Sequence, residues 1–132
     1  ACAEAQNKPV FIDFTGFGCV NCREMESKVW SDPAVLKILK NDYVVIALYV
    51  DDRTLLPESD WVKSTRDGKM KKTIGKKYAD FQITRFNINA QPYYCLLDTK
   101  GELLVQPRAY NLNINSFVDF LNQGLAEFSR RQ

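Results

Sequence analysis

Val10-Phe11-Ile12-Asp13-Phe14-Thr15-Gly16-Phe17-Gly18-Cys19-Val20-Asn21-Cys22 is the stretch that decides how this chain folds. Its first six residues are β-branched or aromatic apart from Asp13, so both faces are apolar. That is the pattern of a central strand covered on both sides, as in a parallel sheet. Gly16-Phe17-Gly18 breaks the strand. A helical stretch then starts near Cys19 and continues through Trp30. Ser31-Asp32-Pro33 restarts it, with a capping side chain ahead of a proline in the first turn, and Asn41-Asp42 ends it. Tyr43–Val50 is a second apolar strand. Strand, helix and strand in this order form a βαβ unit, which favours parallel pairing.

Further along, Asp51–Thr73 is polar and reads as a long insertion, with one helical turn expected around Glu58–Lys63; excursions of this length tend to be functional or mobile. Ile74–Phe86 reads as a helix with Tyr78, Phe81 and Ile83 toward the core. Gln91-Pro92 leads into a strand at Tyr93–Leu97. Asp98–Gly101 is a hairpin turn into a further strand at Glu102–Val105. A last helix starts near Asn115, with Phe117, Val118, Leu121, Leu125 and Phe128 at helical spacing. The order β-α-β-(insertion)-α-β-β-α makes one α/β domain over residues 1–132, with a central mixed sheet of about four strands flanked by helices.

Composition narrows the function. The 132 residues suit one domain, and 45% hydrophobic residues suffice for a core without disulfide staples. A net charge of +2 gives no reason to expect nucleic acid or an acidic membrane as partner. The absence of histidine removes Ser-His-Asp catalysis and mixed Cys/His zinc sites. No apolar run approaches the length of a membrane span. Ala1–Gln6 lacks the basic and apolar regions of a signal peptide and reads as the tail of a helix, as in a processed or excised domain.

Cys19 and Cys22 carry the chemistry. A Cys-x-x-Cys pair opening a helix sets its first sulfur among unpaired backbone N–H groups, which favour the thiolate. A free thiol has a pKa of about 8.5, and such motifs lower it to roughly 3.5–7.5. Cys19 is therefore the expected nucleophile, and Cys22, one turn on and buried, the resolving thiol. The competing reading is half a zinc site. That site would need Cys2, Cys95 or carboxylates as its remaining ligands, and the strand–pair–helix context argues for redox chemistry, with no metal and no cofactor. Asp13, in an apolar strand, should have a raised pKa and could pass protons to or from Cys22. Glu26, four residues beyond Cys22 on the same helix face, could share that task; a solvated surface charge is its alternative. A cis Gln91–Pro92 bond would turn the chain sharply and expose the backbone of Gln91 for pairing with a substrate peptide; a trans edge proline is the alternative. Tyr93 would then lie beside the thiols. Cys95 reads as a core residue, Cys2 as incidental, Trp30 and Trp61 as packing residues. The lysines at 69, 71, 72, 76 and 77 read as a solvated face.

Phe11-Ile12-Asp13-Phe14, Cys19-Val20-Asn21-Cys22 and Pro92 before Tyr93–Asp98 resemble the thioredoxin superfamily along nearly the whole chain. Cys19-Val20-Asn21-Cys22-Arg23-Glu24-Met25-Glu26, with Ser31-Asp32-Pro33 and Val35 downstream, is most similar to the C-terminal periplasmic domain of the DsbD thiol:disulfide interchange family. The resemblance implies a thioredoxin fold lacking its first strand. It sets Asp13 and Glu26 on the family's two acids and Pro92 on its cis-proline, and it implies substrate contacts at Gly18, Val20, Asn21, Gln91, Pro92 and Tyr93. The implied activity is protein-disulfide reduction by electron relay. Electrons pass from a membrane-embedded cysteine pair to periplasmic partner domains, supporting cytochrome c maturation. The protein would be a monomeric periplasmic domain, free or tethered to an inner-membrane protein. An oxidase or isomerase, or a non-catalytic thioredoxin-like binding module, are the alternatives. The sequence departs from the family at Gly16-Phe17-Gly18, where an aromatic often precedes the first Cys, at Gln91, at Tyr93 where Thr is common, and in the long insertion.

Overall fold

The computed structural model describes residues 5–132. Strand β1 (Val10–Thr15) lies at the centre of a three-stranded sheet. Strand β2 (Val44–Tyr49) pairs with it in parallel, Val10 opposite Val44 through Thr15 opposite Tyr49. Strand β5 (Tyr93–Leu97) pairs antiparallel on the other side, Phe14 opposite Tyr93 and Asp13 opposite Tyr94. The β-branched and aromatic residues of β1 suit this central position, in which every side chain from Phe11 to Thr15 is buried.

Between β1 and β2 run helix α1 (Val20–Met25), a single π turn at Glu26–Trp30, and helix α2 (Pro33–Asp42). Asp32 caps α2 by accepting the N–H groups of Ala34 (2.9 Å) and Val35 (3.4 Å), and Pro33 occupies the first turn. Helix α3 (Ile74–Phe86) and helix α4 (Ile114–Arg130) complete the layers. Strand alternation divides the core in two. Phe11 faces a cluster with Met25, Val29, Val35, Leu39, Phe117 and Leu121, from α1, its π turn, α2 and α4. Ile12 and Phe14 face the opposite side, with Cys95, Leu97 and Phe86 of α3. Tyr43 closes the first cluster by donating its hydroxyl to the carbonyl of Leu121 at 2.7 Å.

Four details differ from the sequence expectations. The fourth sheet strand, expected at Glu102–Val105, is reduced to two isolated bridges, Leu97 with Leu103 and Tyr94 with Arg108. The register slips by two residues between them, and Pro107 in that gap has no N–H to give to a ladder. The insertion carries a two-stranded hairpin, β3 (Val62–Lys63) with β4 (Met70–Lys71), after a 3₁₀ turn at Glu58–Asp60. Phe81 is 39% exposed, and α3 buries Gly75, Asp80 and Gln82 instead. The reason is polar: Asp80 accepts the Ser64 hydroxyl of the hairpin segment at 2.5 Å, and Gln82 donates to the carbonyl of Ala90 at 2.9 Å. Finally, β2 is partly exposed despite its apolar sequence, and its outer edge is unpaired among the described residues. Of the expected helical tail, Ala5 and Gln6 are helical, while Cys2 lies outside the described residues. Trp61 packs within the insertion, donating its indole N–H to Leu56 at 3.0 Å. In the basic run, Lys71 pairs with Asp67 at 2.8 Å and Lys72 lies over the Trp61 ring.

Gly75 fixes how α3 meets the sheet. Its N–H donates to the carbonyl of Asp52 at 2.9 Å, and a methyl group there would stand 2.6 Å from the carbonyl oxygen of Val50 and 2.7 Å from backbone atoms of Asp52. Glycine to alanine in a helix ordinarily gains roughly 1 kcal/mol. Here the clash is with backbone, and Gly75→Ala should instead cost about 1–3 kcal/mol in urea unfolding.

Candidate active site

Cys19 and Cys22 are joined in a disulfide. Cys19 caps α1, and its sulfur accepts the backbone N–H of Cys22 at 3.2 Å. Cys22 is buried and Cys19 partly exposed, so only the first sulfur is open to attack. The flanking Val20 is 79% exposed and Asn21 is exposed. Cys95, a free thiol, lies on the other face of the sheet beside Ile12 and Phe14, and burial pushes its pKa up to about 12. It cannot complete a metal site with the pair, and no acid or thiol cluster suited to a metal occurs among the described residues.

Asp13 is placed by β1 on the same face as Phe11 and Thr15. Both neighbours touch the helical segment that carries the cysteines. Phe11 meets Trp30 edge-on with ring centres 5.6 Å apart, and Thr15 accepts a hydrogen bond from Arg23 at 3.0 Å. The Asp13 carboxyl therefore lies beneath the stretch from Arg23 to Trp30. Its Oδ1 is buried with no hydrogen-bond partner, and a cleft lined by Asp13, Glu26, Trp30 and Tyr49 leads to it. Desolvation is the main cause that raises its pKa to about 7; the Glu26 charge adds to the rise and Arg23 opposes it. Glu26 is partly exposed and receives Arg23 at 2.9 Å. Arg23 thus ties Thr15 to Glu26. That i, i+3 pair was legible in the sequence, but its reach to β1 depends on the tertiary fold.

The Gln91–Pro92 peptide bond is cis, and Pro92 is buried. Extending the β1–β5 register by one residue sets Pro92 opposite Thr15, so the proline turn and the Gly16–Cys19 turn share one end of the sheet. The side chain of Gln91 donates to Gln82 at 2.9 Å. Tyr93 is half-buried, and burial raises its pKa. The turn before Cys19 holds a residue that sequence reading passed over. Asp51, just beyond β2, accepts the N–H groups of Phe17 (2.8 Å) and Gly18 (3.0 Å). Only the parallel pairing of β1 and β2 brings it there; an Asp closing an apolar strand was the available signal.

The sequence profile of the Thioredoxin-like domain family matches residues 1–124. The chain belongs to this thioredoxin-like family. Among solved structures, the DsbH oxidoreductase is similar, with a TM-score of 0.68 at 12% identity, over 95% of this chain and 77% of that one. A thioredoxin from Thermus thermophilus gives 0.65 at 22% identity, over 96% and 80%. The reduced C-terminal domain of Neisseria meningitidis DsbD gives 0.59 at 14% identity, over 93% and 87%. No curated protein sequence matches significantly. These thioredoxin-like structures share the fold of this chain, and its CxxC pair is that of the thiol–disulfide oxidoreductases.

The thioredoxin-like domain binds the Asp13 proton more tightly when folded. An unfolded Asp releases it near pH 3.9, and the folded one near 7. The stability tied to this proton is complete below about pH 4 and is lost as pH rises through 7. Asp13→Asn should therefore gain on the parent protein between pH 4 and pH 8, by on the order of a few kcal/mol. Urea unfolding at the two pH values checks this; a difference independent of pH would contradict it.

Proposed function

We propose that the protein is a protein-disulfide reductase that relays electrons through Cys19 and Cys22, in the manner of a DsbD-type domain. The observation that carries this reading is the buried Asp13 carboxyl, its Oδ1 without a hydrogen-bond partner, beneath the helical segment that the cysteine pair opens. In the reduced protein, the Cys19 thiolate attacks a substrate disulfide. A mixed disulfide forms and one substrate thiolate leaves. Cys22 passes its proton to Asp13 and attacks the Cys19 sulfur. The second substrate thiolate leaves, and the Cys19–Cys22 disulfide carries away the two electrons' worth of oxidation. A carboxyl titrating near 7 can take and return that proton at neutral pH. Glu26, which lines the cleft, and Arg23, paired with Glu26, modulate it with opposite sign.

Substrate peptide would lie along the backbone of Gln91 beside the cis Pro92, adding a short strand, with Gly18, Val20, Asn21 and Tyr93 around the reacting sulfur. Reduction of the spent disulfide would come from a membrane-embedded cysteine pair, and the product electrons would serve periplasmic partners and cytochrome c maturation. No helix among the described residues is long and apolar enough to cross a membrane. In this reading the domain works as a monomer in the periplasm, by itself or tethered.

Cys22→Ser should accumulate a mixed disulfide at Cys19 with a disulfide-bonded model peptide and with the physiological partners, read by non-reducing electrophoresis and mass spectrometry. Cys19→Ser should accumulate none and lose turnover entirely. Equal adducts at both positions would contradict the assigned order of attack.

A further inference from the structure

The turn before the reactive cysteine is organised around a negative charge. Pairing between β1 and β2 continues past the strands, with the Val50 N–H donating to the carbonyl of Thr15 at 3.0 Å. Asp51 then places both carboxylate oxygens on the turn, Oδ1 on the Phe17 N–H and Oδ2 on the Gly18 N–H. The Cys19 N–H turns inward to the carbonyl of Gly16 at 3.3 Å. A methyl group at Gly16 would stand 3.2 Å from the Asp51 carboxylate, which accounts for a buried glycine at this point. Phe17 is left 60% exposed, stacked on Tyr49 with ring centres 4.2 Å apart.

Two consequences follow for Cys19. Backbone donors one and two residues before it are already taken by a carboxylate. That carboxylate is itself ionised at neutral pH, because the Gly18 and Phe17 N–H groups hold its pKa below the ordinary range. We propose that Asp51 is a positioning residue that fixes the Gly16–Gly18 turn and sets a permanent negative charge beside Cys19, disfavouring its thiolate and making the dithiol a stronger reductant. The inference rests on the reducing direction proposed above. The other charged groups around the pair are Asp13 on β1, Arg23 and Glu26 on the α1 side, and Asp52 next to Asp51. Among the described residues, Asp51 is the charged group that bonds the turn itself. In the half-reaction at a pH above the Cys19 pKa, the disulfide takes two electrons and one proton to give the Cys19 thiolate and the Cys22 thiol. A group that destabilises that thiolate raises the free energy of the reduced side, and so drives electrons outward.

The test compares the whole protein with Asp51→Asn and Asp51→Ser. Both variants keep a short acceptor for the turn and remove the charge. The Cys19 pKa is read from the pH dependence of iodoacetamide alkylation at that residue. The potential is read from equilibrium with glutathione, in which one protein disulfide and two glutathione thiols exchange for a dithiol and one glutathione disulfide. The expected result is a three- to tenfold larger thiolate-to-thiol ratio in both variants. The equilibrium should shift toward the dithiol by a similar factor, tenfold being about 30 mV. Thermal unfolding of each variant separates this from a loosened fold. A purely structural clasp would lower the melting temperature and leave the Cys19 pKa in place; that result, or a pKa that rises, overturns the inference. A wild-type potential at the oxidising end of the thiol–disulfide range would instead sink the reducing direction, whatever the variants do.

Discussion

Everything at the reactive end of this molecule depends on β1 being paired on both edges and covered on both faces. Its parallel partner β2 and antiparallel partner β5 bring three chain turns to one end of the sheet. These are the Gly16–Cys19 turn, the Asp51 corner and the cis Gln91–Pro92 turn. Alternation along β1 sends Ile12 and Phe14 to the α3 face and Asp13 to the face shared with the cysteine helix. A slip of one residue in register would carry Asp13 to the opposite face, away from the helical segment that follows the pair.

Two carboxylates near the cysteines titrate in opposite directions, and the difference is solvation. Asp13 is buried and unpartnered at one oxygen, and its pKa rises to about 7. Asp51 is exposed and holds two backbone N–H groups, so its pKa falls. The first is suited to moving a proton, the second to holding a fixed charge. A thioredoxin-like scaffold can thus use one residue type for two purposes, set by whether water or peptide groups surround it. In the proposed mechanism the first serves the buried sulfur and the second the exposed one.

Much of this was legible in the sequence. The apolar runs located β1, β2 and β5, the proline after Asp32 located the start of α2, and an acid inside an apolar strand marked Asp13. These signals are local, or need only strand alternation. Asp51 looks in the sequence like the start of a polar insertion, since its partners lie 33 and 34 residues away and are backbone groups that carry no sequence signature. The hydrophobicity of Phe81 points to the core, whereas the buried face of α3 is set by polar contacts of Asp80 and Gln82 with other segments. The hairpin β3–β4 leaves no pattern in the sequence, because two-residue strands are too short for alternation to register. The edge strand after Gly101 failed for a related reason: a proline two residues beyond an apolar run disrupts the ladder that the run alone suggests.

The most direct test is electron delivery by the pair itself. Protein reduced beforehand and freed of reductant is mixed with an equimolar disulfide-bonded peptide, and both are mapped by mass spectrometry after acid quenching. One peptide disulfide should open for each Cys19–Cys22 disulfide that forms, with Cys95 remaining a free thiol throughout. A peptide left oxidised while Cys19 and Cys22 stay reduced would contradict the reductase, and a disulfide involving Cys95 would contradict the assignment of the electrons to this pair.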